Sequence, residues 1–586
     1  MKIAKLRLLS LTIFIAIAVN FLSMTLASEN KSAISDINSL LSDPFLQLPT
    51  ENTVNVVWFT EFAGDRHLVK YGKQLQQRVT ANTTKLSRVR EDRDSQINNP
   101  PPKSQRDIWR HEAVVTNLTP NQRVPYQVTS IRNGEAIASD VFTLTSLPPA
   151  ETPLKILLTS DHQLMPMTTA NLAQVVETVG RVDAVFLPGD LVNIPDRASE
   201  WFDDLSGGAF FPALQGRGNY QLERNGITTT YRGGEIIQHA PLFTAVGNHE
   251  VMGKVAADST LKQEFSQPQP RWVAQKYYDS KAIAPAENFP TKAEWIKNHS
   301  FNTDTYEEIF TLPKSDPGGK RYYAVTFGDV RLISLYVTNI WRSPSLEAEA
   351  IGRYKESDTE INNPQAWGYG QHIFEPIAKG SPQYEWLKQE LQSEAFQQAK
   401  YKIVMFHHPP HTLGGNIVPP YTNPQPKEYY TQGKLQSRYY DYPQEDDYII
   451  RDLIPLLESA GVQLVYYGHS HLWNRFKSDL GMHFLESSNV GNSYGAHLGD
   501  NPREIPSYSP QNFAATGNPN GLPPIVPNIA PLTDDSGQPL PYIASNDITV
   551  FSIFDTATGS VSSYRYNTRQ PNSPVVEFDR FKLVLP

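Results

Sequence analysis

Val462-Gln463-Leu464-Val465-Tyr466-Tyr467 is an apolar run that stops abruptly at Gly468-His469-Ser470-His471. A short run of aliphatic and aromatic residues ending in a turn reads as a buried strand. The stretch before it, Ile449 to Ala460, reads as a helix. The same pattern recurs upstream. A helix over roughly Tyr384 to Ala395 precedes Tyr401 to Phe406, which closes on His407-His408. Leu242 to Val246 closes on Gly247-Asn248-His249, and Ala184 to Leu187 on Pro188-Gly189-Asp190. Leu154 to Thr159 closes on Ser160-Asp161, with an amphipathic helix over Thr168 to Val179 beyond it. Strands alternating with helices predict a layered α/β fold.

In such sheets functional groups collect just past the carboxyl ends of the strands. Here the five runs deliver Asp161, Asp190, Asn248, His407, His469 and His471. Glycines precede Asp190, Asn248 and His469, and are predicted to let the backbone bend toward a common point. The chain contains no cysteine. Disulfides, thiolate metal sites and cysteine nucleophiles are therefore excluded. Oxygen and imidazole donors without sulfur suit Zn, Mn, Fe or Co.

Before these units, residues 44–148 read as β-structure. Val54, Val56 and Trp58 would share one face of a strand. His111 to Leu118, Tyr126-Gln127-Val128 and Val141 to Leu144 continue the alternation, predicting a small β-sandwich. Asp92 to Arg106 reads as a polar loop within it, and Leu147-Pro148-Pro149 as a linker. The second domain is placed at 154–571, with long inserts at about 194–241, 251–318 and 497–545. Asp547 to Phe554 and Ser560 to Tyr566 read as its closing strands.

The first residues have the pattern of an export signal. Lys2, Lys5 and Arg7 precede an uncharged, mostly apolar run, and Thr25-Leu26-Ala27 offers a cleavage site after Ala27. A retained anchor is the rival reading, since a run of roughly 18 apolar residues is long enough to span a bilayer. Export would place the chain in the periplasm, at the cell surface or in the medium, with no membrane span left after cleavage. The net charge of −9 argues against general nucleic-acid binding. It leaves room for a small anionic substrate met by bound cations. Nothing in the sequence sets the oligomeric state.

The ordered blocks Asp161, Gly189-Asp190, Gly247-Asn248-His249-Glu250, Val404 to His407 and Gly468-His469-Ser470-His471 resemble the calcineurin-like metallophosphoesterases. On Trp58, Leu118-Thr119-Pro120 and Tyr126, the first domain resembles the fibronectin-III-like module found ahead of purple acid phosphatases. The resemblance implies an αββα four-layer catalytic domain behind an all-β sandwich. It implies two divalent or mixed-valence metal ions, drawn from Fe, Mn, Zn or Ca. Asp190 would bridge them, Asp161 and His471 would hold the first, and Asn248, His407 and His469 the second. His249 would face a small phosphorylated substrate, and a bridging hydroxide would hydrolyse a phosphate monoester. A phosphodiesterase or nucleotidase is the close alternative, and a catalytically impaired surface binding protein the distant one.

Two positions depart from the pattern. Many members read Asp-x-His in the first block, where this chain has Asp161-His162-Gln163. Purple acid phosphatases carry a Tyr three residues past the bridging Asp, where this chain has Asn193. An amide oxygen from Gln163 or Asn193 is the expected substitute, and tyrosinate colour is expected to be absent. Other candidates have blander readings. Glu250 reads as a structural acid, and His408 as a rival to His407. His411 reads as a pocket or surface residue, Arg475 as solvated, and His483 and His497 as incidental. Trp201, Phe210-Phe211 and Tyr277-Tyr278 would pack their loops or wall a cleft.

Overall fold

A computed structural model describes residues 39–280, 291–343, 345–347 and 351–583. The export-signal reading of residues 1–27 lies outside them. Among the described residues no helix is long and apolar enough to cross a membrane.

The β-rich first region forms two antiparallel sheets. One orders Phe45–Gln47, Val54–Thr60, Trp109–Val115 and Asn82–Lys85; the other orders Glu135–Ala138, Val124–Arg132, Arg66–Tyr71 and Gln77–Thr80, with Phe142–Leu144 also on Val124–Arg132. They meet face to face. The Trp58 indole N–H donates to Ser130 Oγ at 3.0 Å, and the His67 and His111 rings stack at 3.5 Å. Val54–Thr60 is buried along its whole length, so both of its faces are covered. Val57 and Phe59 belong to the core that also holds the second region's strands.

The second region has two mixed sheets. In the first, Leu242–Thr244, Ala184–Leu187 and Lys155–Leu158 run parallel, followed by antiparallel Ile548–Asp555, Ser560–Asn567 and Val576–Lys582. The second orders Tyr323–Phe327, Val330–Ser334, Tyr401–Met405, Leu464–Tyr467, His483–Ser487, Trp473–Lys477 and Tyr542–Ile543, with its central strands parallel. Leu157, Phe186 and Phe551 from the first share a core with Met405, Tyr466 and Leu485 from the second. Helix Thr168–Val179 packs outside the first sheet. Leu387 and Leu457, on helices Pro382–Glu390 and Ile454–Ser459, pack against Val404 and Val465 of the second. The order is helix, sheet, sheet, helix.

Two predicted helices differ in detail. Tyr384 to Ala395 divides into Pro382–Glu390 and Glu394–Gln398, because Ser393 caps a new helix through Oγ. Ile449 to Ala460 opens with a π turn over Ile449–Leu453 before α-helix Ile454–Ser459. Pro455 has no N–H to return to the carbonyl four residues back, which favours the wider turn.

Candidate metal centre

All six residues picked out by strand ends converge. Asp190, His407 and His469 offer ligand atoms that lie within 4.8 Å of one another, as do Asp161, Asp190 and His471. Asp190 is common to both sets. His407 Nε2 meets Asn248 Oδ1 at 3.1 Å, His469 Nδ1 at 3.0 Å and Asp190 Oδ2 at 3.1 Å. One imidazole nitrogen carries at most one proton, so it can satisfy only one of these three acceptors. Lone pairs facing one another in a buried space are the donor set of a cation, and the residues fit that role.

The backbone delivers these groups by an unusual route. Asp161, Asp190, His469 and His471 have φ of 56°, 56°, 82° and 53°. This left-handed region costs an L-residue roughly 1–3 kcal/mol. Only one of the three turn glycines, Gly189, has positive φ, at 103°. The bends at Gly247 and Gly468 therefore do not come from glycine dihedrals. Those two positions are small for another reason. A Cβ on Gly247 would lie 2.3 Å from Asp190 Oδ1, and one on Gly468 2.1 Å from Asp161 Oδ2. Glycine here lets a carboxylate press against a neighbouring chain.

Fixed acceptors orient the rings. Nδ1–H of His407 donates to Pro188 O at 3.0 Å, that of His471 to Asn492 O at 3.0 Å and that of His249 to Asn193 O at 2.6 Å. Each bond settles the tautomer and turns Nε2 inward. Burial alone would disfavour charge on both Asp190 and His407. Their mutual attraction overrides it, holding the Asp190 carboxyl down at about 2 and lifting His407 to about 9. His249 sits between this cluster and Phe265, and burial lowers its pKa.

Two acids hold the loops. Glu250 accepts backbone N–H groups of Asp190, Leu191 and Gly247 at 2.7–2.8 Å. Burial and the adjacent Asp190 charge push it up to about 8. Glu486 accepts from Ser470 N at 2.8 Å, Thr412 Oγ1 at 2.7 Å and Asn474 Nδ2 at 3.0 Å. Glu486 gave no signal in the sequence, because the groups it holds, on Thr412, Asn474 and Ser470, lie 74, 12 and 16 residues away.

The remaining candidates separate cleanly. His162 turns away, pairing Nε2 with Thr159 Oγ1 at 2.9 Å and packing near Phe210. His408 lies behind the cluster against Tyr421 and the His469 ring. His411 is neither a pocket nor a surface residue; it is buried against Phe484 with Nδ1 near Asn518. Arg475 is not solvated. It is buried in a two-bond pair with Asp579 at 2.8 and 3.1 Å. His483 stacks on Phe581, and His497 pairs Nδ1 with Asn501 O. Tyr277 and Tyr278 pack on Trp295. Trp201, Phe210 and Phe211 are buried with Phe45 and Phe59, away from any cleft.

Above the cluster opens a cleft of about 940 Å³, bordered by Asp190, Asn248, His249, His469 and His471. Trp341 and Tyr494 stand at its rim and are 44% and 60% exposed.

Comparison with protein families matches this chain to the calcineurin-like phosphoesterases over residues 154–472. That span is more than half of the 586 residues, and the chain belongs to this family. Residues 42–146 match the purple acid phosphatase N-terminal domain. The protein is thus a phosphoester hydrolase with a purple acid phosphatase-like layout, of a family whose members carry a dinuclear metal centre. Among solved structures it is similar to purple acid phosphatase PPD1 from yellow lupin (Lupinus luteus) seeds. Identity is 14% and the TM-score 0.49, over 92% of this chain and 73% of that one. No curated protein matches the sequence.

Proposed function

We propose that the protein is an exported hydrolase of phosphate monoesters. The carrying observation is the shared carboxylate of Asp190, flanked on one side by Asp161 and His471 and on the other by Asn248, His407 and His469. These two sets would hold two cations with Asp190 between them. Bound there, the pair would supply positive charge for the phosphoryl oxygens and acidify water toward hydroxide at neutral pH.

The chain's own groups do the rest. Glu250 and Glu486 hold the ligand loops at a fixed spacing. His249, anchored through Nδ1, presents Nε2 to the cleft and hands a proton to the departing alkoxide. The breadth of the cleft favours a second reading. A space of about 940 Å³ admits a substituent on either side of phosphorus, as a diester or nucleotide needs. Export rests on the charged and apolar pattern of residues 1–27.

The test is turnover by the purified chain on paired phosphate mono- and diesters, with Mn, Zn, Fe or Ca added in turn. Metal-dependent hydrolysis, faster on monoesters, is expected. Hydrolysis confined to diesters would replace the leading reading by the second, and turnover indifferent to metal removal would defeat both.

A further inference from the structure

We propose that the side-chain oxygen of Gln163 is the ligand that completes the Asp161–Asp190–His471 half of the metal centre. This assignment rests on the dinuclear reading above. Gln163 is buried, at 2% exposure, and its Nε2 lies 3.1 Å from Asp190 Oδ2, the carboxylate common to both halves. Its other end, Oε1, is buried without any hydrogen-bond partner. An orphaned buried carbonyl oxygen is costly, because it gives up its water without gaining a donor. A carboxamide has nearly the same shape when its O and N exchange places. A half-turn of the amide therefore puts oxygen where nitrogen now faces Asp190, and a cation in this half would take that oxygen as a ligand.

The backbone is built to hold that side chain in place. Gln163 has φ of 39°, its N–H donates to Leu191 O at 3.1 Å, and its carbonyl accepts from Asn193 Nδ2 at 2.7 Å. The same bond turns the rival toward the backbone. Asn193 donates through its side-chain amide nitrogen to the Gln163 carbonyl, and its own backbone carbonyl accepts from His249 Nδ1–H, so it acts as a positioning residue. His162 faces Thr159 and the core. Of these three residues, Gln163 is the one whose side-chain amide meets Asp190.

The consequence is an asymmetric centre. The first half takes oxygen from Asp161, Asp190 and Gln163 and nitrogen from His471. The second takes oxygen from Asp190 and Asn248 and nitrogen from His407 and His469. Carbonyl and carboxylate donors suit Mn²⁺, Mg²⁺ or Ca²⁺, whereas imidazole suits Zn²⁺. The first position would therefore prefer a harder ion than the second.

The experiment titrates the metal-stripped full chain with manganese(II) chloride alone. Bound metal is counted, and electron paramagnetic resonance distinguishes a coupled pair from single ions. The wild type is expected to bind two ions as a coupled pair. Gln163→Ala should weaken one of them by about tenfold or more and leave a single-ion spectrum. Gln163→Glu, which keeps an oxygen, should retain the pair. A Gln163→Ala chain that binds the coupled pair as tightly as wild type would overturn the assignment. A wild type that never takes up two ions would bring down the dinuclear reading, and this assignment with it.

Discussion

At His249 a single hydrogen bond sets the chemistry. Its Nδ1–H is committed to the Asn193 carbonyl at 2.6 Å, so any proton it exchanges with substrate passes through Nε2. Burial lowers its pKa below the ordinary 6.5, which keeps Nε2 deprotonated near neutral pH. Proton donation by this residue therefore strengthens as pH falls. Turnover of an ester with a poor leaving group should rise on going below pH 6.5 and be carried by His249. His249→Asn should cut kcat by roughly 10²–10⁴-fold and remove that acidic limb, while leaving the metal count at wild-type level. A variant that loses metal along with activity would make His249 a structural residue.

The loop between Leu464–Tyr467 and Trp473–Lys477 carries two ligands in left-handed conformation, and Glu486 on the neighbouring strand holds it. Burial raises the Glu486 carboxyl from 4.5 to about 8, so the native state favours its protonated form. That contribution is complete below about pH 4.5 and declines as pH rises through 8. Glu486→Gln mimics the neutral acid and cannot titrate. Thermal melts across this window should show the wild type losing ground to the variant as pH increases. Parallel melting curves would show that Glu486 does not change protonation there. The same element explains why the glycines matter. The left-handed turns bring Asp161 against Gly468 and Asp190 against Gly247, and only a hydrogen side chain fits at those contacts.

Across the whole molecule, the β-rich first region is welded to the second. Phe45 and Phe59 pack on Phe202 and Phe211, and a chain of ion pairs crosses beside them. Arg90 reaches Asp196 at 2.7 Å and Glu264 at 2.9 Å, where the two carboxylates are 1% and 0% exposed. Lys103 also reaches Glu264, and Arg197 returns the contact to Asp92. Arg90→Ala would leave buried Asp196 without its cation and Glu264 with Lys103 alone. The expected cost is about 3–5 kcal/mol, read as a drop in the denaturant midpoint at unchanged slope. A change within a few tenths of a kcal/mol would mean that the remaining partners, Lys103 at Glu264 and Thr305 at Asp196, satisfy these carboxylates.

How far the sequence could be read depended on how local the signal was. Ala184–Leu187 was legible to the residue, and the neighbouring runs to within a residue or two, because an apolar run ending in a polar turn is a local pattern. Val330–Ser334, which pairs with Tyr401–Met405, was not singled out, nor was the exposed hairpin Gln425–Thr431 and Lys434–Asp441. Val330–Ser334 runs on into apolar Leu335-Tyr336-Val337 rather than a polar turn, and the hairpin strands are mostly polar and aromatic, so neither shows the pattern. The destinations of Arg475, Trp201 and Phe210 were equally hidden, since their partners lie far away in the chain.

The sequence by itself determined the layered α/β plan and picked out six side chains that meet in one cluster, because strand periodicity and residue chemistry are written locally. Only the tertiary structure decided that Gln163 brings its amide to Asp190 while His162 turns to Thr159. It also decided that glycine serves close approach at Gly247 and Gly468. Those outcomes depend on distances between segments up to three hundred residues apart, and burial and packing set such distances only once the two sheets have closed on each other.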